Sequence, residues 1–277
     1  MTTAWVLRGG AALGAVQVGM ARALLEAGHF PDMVYGTSAG ALNAAALAAR
    51  PSVEGTMALA GLWREVRRAD VFPLRPWSLL GGLVGTSDHL VSPHPLRRWL
   101  HRVTLIERLE ASAVPLTVVS TDIETGEEVL LNAGPAVPAL MASAAMPGIF
   151  PPVRVGDRWL MDGSIVSDTP VGPAVAAGAD EVWVLPCVPD IPTRRPRTPL
   201  EAVLRSSSLA LARHHVATVH AWSVSCRLYV VPAPVVPGSS PFSFSHTVEL
   251  LDAGYRKTKQ WLPTARPMAE ASHVGDH

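Results

Sequence analysis

The 277-residue chain is short of charge: 17% of its residues are charged and 48% are apolar, and Lys+Arg and Asp+Glu both total 23. That balance provides no global field for nucleic acid or for an anionic membrane surface, and so much apolar side chain excludes gross disorder. Nucleic acid is therefore not an expected partner. The only cysteines are Cys187 and Cys226; they form no CxxC pair and no His/Cys cluster accompanies them. This removes zinc from consideration, implies no metal or other cofactor, and leaves two buried thiols. No stretch approaches the ~18 uninterrupted apolar residues of a membrane span. Residues 1–8 lack a basic segment followed by an apolar one, so no signal peptide is expected. The expected location is the cytoplasm, with a peripheral membrane contact left open. Neither a repeat nor an interdomain linker is visible. The expectation is one domain over residues 1–262, a flexible tail over 263–277, and no obligate protein partner.

Within this frame the hydrophobic pattern alternates short apolar runs with helical periodicity. Ala4 to Arg8 reads as a buried strand that ends at Gly9-Gly10. Val16, Met20, Leu24 and Ala27 recur at helical spacing before a capping Gly28. Asp32 to Tyr35 is a second strand, and Ala39 to Ala49 an Ala-rich helix that Pro51 ends. Strand–helix–strand–helix predicts an α/β fold with a parallel sheet and right-handed crossovers. Further strands are expected at Leu116–Thr121, Glu128–Leu131, Glu181–Leu185 and 227–231, and a hairpin at 153–155 and 158–161 turning on Gly156-Asp157. Helices are expected at 170–178, 200–222 and near 247–261. Residues 71–99 show weak periodicity, many Pro, Trp and Leu, and several Gly. They read either as a mobile apolar cap over a binding site or as a packed irregular excursion.

Three pieces carry chemistry. Gly36-Thr37-Ser38-Ala39-Gly40 is a Gly-x-Ser-x-Gly pattern at a strand-to-helix junction. Such an elbow lifts the serine hydroxyl above the sheet edge, and the helix starting there favours developing negative charge. Gly9-Gly10-Ala11-Ala12-Leu13-Gly14 follows strand one and opens helix one, so its amides can meet an anion such as a tetrahedral oxyanion. As a dinucleotide fingerprint it fails, because Ala11 stands where the middle glycine belongs and no acidic residue ends strand two. Met161-Asp162-Gly163-Ser164 puts a carboxylate at the end of a strand. Asp162 is either a base for Ser38 or an ordinary turn aspartate.

Together with Ala142-Ser143-Ala144-Ala145-Met146-Pro147-Gly148-Ile149-Phe150-Pro151-Pro152, and with Thr169-Pro170-Val171 ahead of Gly178-Ala179-Asp180, these pieces resemble, in order, the patatin-like phospholipase family. The resemblance covers residues 4–185. It implies a patatin-like three-layer αβα fold with a mainly parallel sheet, and a serine–aspartate dyad without histidine. Ser38 would attack a fatty-acyl ester or phospholipid carbonyl and Asp162 would act as base. Amides of Gly9, Gly10 and Ala11, with that of Ala39, would hold the oxyanion, and Gly14, Gly36, Gly40 and Gly163 would support the motifs. The chain departs from the family at Ala11, where a third glycine is usual, and at Leu13, where Lys or Arg is usual. Losing that cation weakens the case for a strongly anionic substrate. Ser164 replaces Gly or Ala after Asp-Gly, with little effect expected.

Two other readings compete. A Ser–Asp–His triad on an α/β-hydrolase fold has candidates in His214, His215, His220 and His246. Against it, the elbow comes too early in the chain, and the 200–222 histidines read as solvated positions on an ordinary amphipathic helix. That helix, with Arg205, Arg213, His214 and His215, also admits a membrane-surface reading, but a core-packed helix with a wet face fits better. A non-catalytic lipid-binding relative is the third class, and the intact Ser38 and Asp162 argue against it.

Overall fold

The computed structural model describes residues 1–73, 90–187 and 199–271. The strands are β1 (Thr3–Leu7), β2 (Met33–Thr37), β3 (Leu116–Asp122), β4 (Glu128–Leu131), β5 (Val153–Val155), β6 (Arg158–Asp162), β7 (Glu181–Leu185) and β8 (Arg227–Val230). They form one mixed sheet in the order β5-β6-β3-β2-β1-β7-β8, with β4 also paired to β3. The centre is parallel: β1 pairs with β2 and β7, β2 with β3, and β7 with β8. The β4, β5 and β6 pairings are antiparallel.

The helices are α1 (Ala15–Glu26), α2 (Ala39–Ala49), α3 (Val53–Glu65), α4 (Arg68–Val71), α5 (His94–Val103), α6 (Ala136–Ser143), α7 (Ser164–Ser167), α8 (Val171–Ala176), α9 (Pro199–Trp222), α10 (Thr247–Trp261) and α11 (Met268–Ala271). Side chains alternate across β1 and divide the core in two. Trp5 and Leu7 join a cluster with residues of α1, α2, α3 and α10. Ala4 and Val6 join a second cluster with Val171 and Ala174 of α8 and Val219 of α9. A sheet covered on both faces explains why its central strands are continuous apolar runs.

The register of β3 matters most for the site. Val118 and Val119 pair with Gly36 and Thr37 of β2, and Ser120 to Asp122 pair with Asp162 to Leu160 of β6. Residues Val118 to Thr121 pair simultaneously with β4. A strand has two edges, so β4 occupies one, while β2 and β6 share the other in succession. The end of β2 and the end of β6 therefore meet head to head beside β3.

Three expectations change. Residues 94–99 lie in helix α5, because Leu96, Leu100 and Val103 hold a helical stripe that the Pro-rich start disguises. Phe72 and Val91 flank the excursion and are buried, and Leu90 and Val91 donate to the carbonyls of Gly148 and Ile149. The expected cap's remaining residues, 74–89, lie outside the described residues. Beyond Pro263, where fraying was expected, α11 follows and Met268 packs against the second cluster, because that cluster offers it apolar surface. Cys187 is buried and Cys226 only partly so. No helix among the described residues is long and apolar enough to cross a membrane.

The first and last long helices cross backbone to backbone. A Cβ on Gly19 would lie 2.0 Å from the Leu251 carbonyl oxygen, and one on Gly254 would lie 2.2 Å from that of Val16. Neither neighbour is a flexible side chain, so Gly19→Ala must separate α1 from α10. It is expected to cost about 3 kcal/mol through overpacking, read as a lower Tm in thermal unfolding. Gly61 in α3 has nothing within 4 Å of such a Cβ. Gly61→Ala is the control, expected to stabilise by about 0.5–1 kcal/mol.

Candidate active site

Ser38 leaves β2 in a conformation side chains rarely adopt, with φ 55°, and α2 begins at the next residue. The turn is tight enough to require its glycines. A Cβ on Gly36 would lie 2.5 Å from the Gly40 carbonyl oxygen, and one on Gly40 would lie 2.1 Å from that of Leu7. The Ser38 amide donates to Ser143 Oγ at 2.9 Å, and Ser143 donates to the Val119 carbonyl at 2.6 Å. The changeover point of the β3 edge is thus held by a side chain from the Ala142–Pro152 segment. Thr37 Oγ1 donates to the Ser167 carbonyl at 3.0 Å and ties the elbow to α7.

Ser38 Oγ donates to Asp162 Oδ2 at 2.7 Å, across 124 residues of sequence. The second carboxylate oxygen, Oδ1, accepts from the Ser164 amide at 2.9 Å and from the Ser164 hydroxyl. The Asp162 backbone is fixed as well: its amide donates to the Ala145 carbonyl and its carbonyl accepts from Thr121 Oγ1. Gly163 is required here, since a Cβ would lie 2.4 Å from the Val119 carbonyl oxygen. Asp162 is buried, and burial raises its pKa from 3.8 to about 6 despite the bonds from Ser164 and Ser38; the Asp168 charge adds to the rise. Ser164, expected to have little effect, instead holds the carboxylate with two of its three hydrogen bonds.

The glycine loop differs from expectation in one respect. The Gly9 amide donates to Asp168 Oδ1 at 3.2 Å. It is therefore occupied and drops out of the expected set of oxyanion donors. The amides of Gly10, Ala11 and Ala39 have no hydrogen-bond partner among the described residues. Ala11 takes φ 49°, the left-handed conformation that suits glycine and costs an alanine about 1 kcal/mol. With Ser38 it is one of two non-glycine residues of positive φ among the described residues, and both are in this site. A Cβ on Gly14 would lie 3.2 Å from the side chains of Ala39 and Trp63, a tight contact.

The loop is anchored by a buried ion pair that sequence reasoning missed. Arg8 Nε donates to Asp168 Oδ2, with both side chains buried. The Arg8 carbonyl accepts from Gln17 Nε2 at 2.8 Å and from Cys187 Sγ. Gln17 in turn accepts from Asn43 Nδ2, and Asn43 Oδ1 accepts from Trp63 Nε1 at 2.8 Å. The chain of bonds runs from the loop anchor to the wall of the pocket beside Ser38. Its signals were present in the sequence: an arginine closing an apolar strand, an aspartate before Thr169-Pro170, and lone amides on apolar helices.

The histidines lie elsewhere. His215, read as solvated, is buried, because Thr169 Oγ1 bonds its Nδ1 at 2.8 Å and lets it enter the core. Burial, then the nearby Arg8 and His214 charges, lowers its pKa to about 3, so it is neutral. No histidine hydrogen-bonds Ser38 or Asp162 among the described residues.

An apolar pocket opens beside Ser38, walled by Leu42, Trp63, Phe72, Trp99, Met146 and Phe150. Phe72 packs on Phe150, Phe242 and Phe244 at ring separations of 5.9, 5.3 and 6.4 Å, which fixes that wall. A second apolar pocket adjoins the first and shares Leu42, Trp63 and Trp99 with it.

Asp168→Asn removes the carboxylate charge from the buried pair with Arg8 and weakens the hold on the Gly9 amide. Breaking such a pair is expected to cost about 3–5 kcal/mol, measured as the loss in urea-unfolding free energy. A loss below about 1 kcal/mol would show that the pair does not anchor the loop.

The sequence profile of the patatin-like phospholipase family matches residues 5–175. An uncharacterised NTE family protein of Mycobacterium tuberculosis is 31% identical over 180 residues, covering 64% of this chain and 29% of the relative. Patatin-like phospholipase domain-containing protein 6 of Mus musculus is 29% identical over 183 residues, covering 65% of this chain and 13% of the relative. The chain thus spans less than a third of the length of either. Among solved structures, VipD from Legionella pneumophila is similar over 95% of this chain and 67% of its own, with 16% identity and a TM-score of 0.48. The matched segment contains the elbow, the glycine loop, Asp162 and Asp168, and the chain belongs to the patatin-like phospholipase family.

Proposed function

We propose that the protein is a serine acyl-ester hydrolase acting on lipid-like esters through a Ser38–Asp162 dyad. The observation that carries this reading is the 2.7 Å hydrogen bond from the Ser38 hydroxyl to a buried carboxylate, at the mouth of an apolar pocket. Family membership supports the same chemistry. In the reaction, Ser38 Oγ attacks the acyl carbonyl carbon as its proton passes to Asp162 Oδ2. The carbonyl oxygen becomes an oxyanion, received by the unbonded amides of Gly10 and Ala11 with that of Ala39 at the start of α2. The C–O bond to the alcohol breaks, and Asp162 returns the proton to the leaving oxygen. Water then attacks the acyl-enzyme, Asp162 takes its proton, and the acid departs as Ser38 regains its hydrogen.

The pocket favours an apolar acyl group, and position 13 holds a buried leucine, Leu13, rather than a cation. A Ser–Asp–His mechanism lacks support, since His215 is committed to Thr169 and, among the described residues, no histidine hydrogen-bonds Ser38 or Asp162. The partner of the site is accordingly a fatty-acyl ester, with phospholipid among the substrates to try.

Ser38→Ala is expected to abolish turnover and labelling by a fluorophosphonate. Asp162→Asn should lower kcat on the order of 10³-fold, because nucleophile and base act as a unit. Ester hydrolysis across acetyl to long acyl chains, with the folded state checked by circular dichroism, tests both. An Asp162→Asn enzyme with a normal rate would place the base elsewhere.

The carboxylate accepts a proton only when ionised. With its pKa raised to about 6, kcat/KM should rise about tenfold per pH unit below that value and level off above it. The sign for stability is opposite: the folded state holds this proton more tightly than the unfolded chain. The contribution is complete below pH 3.8 and is lost as pH rises through 6. A pH–rate profile still flat down to pH 4 would contradict the assignment.

A further inference from the structure

The neutral chain distributes its charge unevenly, and one concentration lies over the pocket. Among the described residues of 64–103, six arginines stand against two carboxylates, Glu65 and Asp70, although the chain as a whole has net charge zero. In the described part of this stretch, Arg64, Arg67, Arg68, Arg97, Arg98 and Arg102 are all exposed. The same elements have an apolar inner side. Val66, Val71, Phe72, Leu96 and Trp99 line the pocket beside Ser38.

Helix α5 shows the division most sharply. Leu96 and Leu100 are buried, Trp99 and Val103 are partly buried on the same side, and Arg97, Arg98, His101 and Arg102 are exposed on the other. Arg102 lies 3.9 Å from Asp70 of α4, which joins the two basic elements into one surface. Just past the end of α5, Leu105 is 56% exposed and also borders the second apolar pocket.

We propose that this surface docks the protein on a bilayer carrying anionic headgroups, with the arginines of α4 and α5 against the phosphates. Anionic headgroups attract basic residues near the surface by on the order of fivefold in affinity each. Leu105 supplies an apolar residue for the interface. Single-stranded nucleic acid is the poorer fit, because such sites interleave aromatic platforms with their cations. Here Trp99 faces the pocket and the outer face of α5 carries no Phe, Tyr or Trp. Position 13 carries no cation within the site, and the charge that meets an anionic lipid is instead on the outside of the pocket's cover. The proposal concerns binding, so it stands or falls separately from the esterase reading.

The test is sedimentation with vesicles of pure phosphatidylcholine, and of phosphatidylcholine with about a third phosphatidylglycerol. It uses the full chain, Arg97→Gln/Arg98→Gln/Arg102→Gln, and a control of equal charge loss at exposed sites elsewhere, Arg154→Gln/Arg256→Gln/Lys257→Gln. The wild type is expected to bind the anionic vesicles selectively and to release as salt is raised from 50 to 500 mM, roughly as screening dictates. The α5 variant should lose about a hundredfold in affinity, and the control less than fivefold. Unchanged circular dichroism and Tm show that the variants are folded. Equal binding to both vesicle types, no binding, or equal losses in the two variants would overturn the proposal. So would a single-stranded RNA that binds this face more tightly than the vesicles do.

Discussion

One edge of strand β3 is shared by two strands in turn, and the site depends on it. β2 pairs with β3 as far as Thr37 opposite Val119, and β6 takes over with Asp162 opposite Ser120. The two strands run toward each other, so the residue leaving one and the residue ending the other meet. That meeting places a hydroxyl and a carboxylate 2.7 Å apart, though 124 residues separate them in sequence. The backbone is held at the same spot. Ser143 bridges the Val119 carbonyl and the Ser38 amide, and Gly163 lies against the Val119 carbonyl where no side chain fits.

The meeting point concentrates features that oppose folding. Three charged side chains, of Arg8, Asp162 and Asp168, are buried there, and Ser38 and Ala11 take strained backbone conformations. The surroundings compensate with hydrogen bonds. Asp162 accepts three, Asp168 accepts from both Arg8 and Gly9, and the Gln17–Asn43–Trp63 chain ties the loop anchor to the pocket wall. Strain retained in this way at one place is the usual mark of a functional site. The rest of the sheet lacks it, with apolar side chains on both faces and no other non-glycine residue of positive φ among those described.

Pocket and surface are two sides of the same elements. The end of α3, α4 and α5 give apolar side chains to the cavity and arginines to solvent. A chain of zero net charge can therefore carry a locally cationic face, which composition averages away. The helical stripe of α5 was present in the sequence at Leu96, Leu100 and Val103, but Pro93 and Pro95 hid it by breaking the pattern where a helix begins.

Asp162 alone read either as a base or as a turn aspartate and was singled out only by the family resemblance, whereas the sequence by itself determined the α/β alternation, the Gly-x-Ser-x-Gly pattern at Ser38 and the glycine loop. These are local properties: apolar runs between turn residues, and glycines at fixed offsets from a strand end. Only the tertiary structure decided which groups meet. It put the Gly9 amide on Asp168, took His215 into the core, gave Ser164 to the Asp162 carboxylate, and paired Arg8 with a residue 160 positions away. Hydrogen-bond partners across a sheet edge follow from strand register and helix crossing. A single sequence encodes those only through the packing of the whole core.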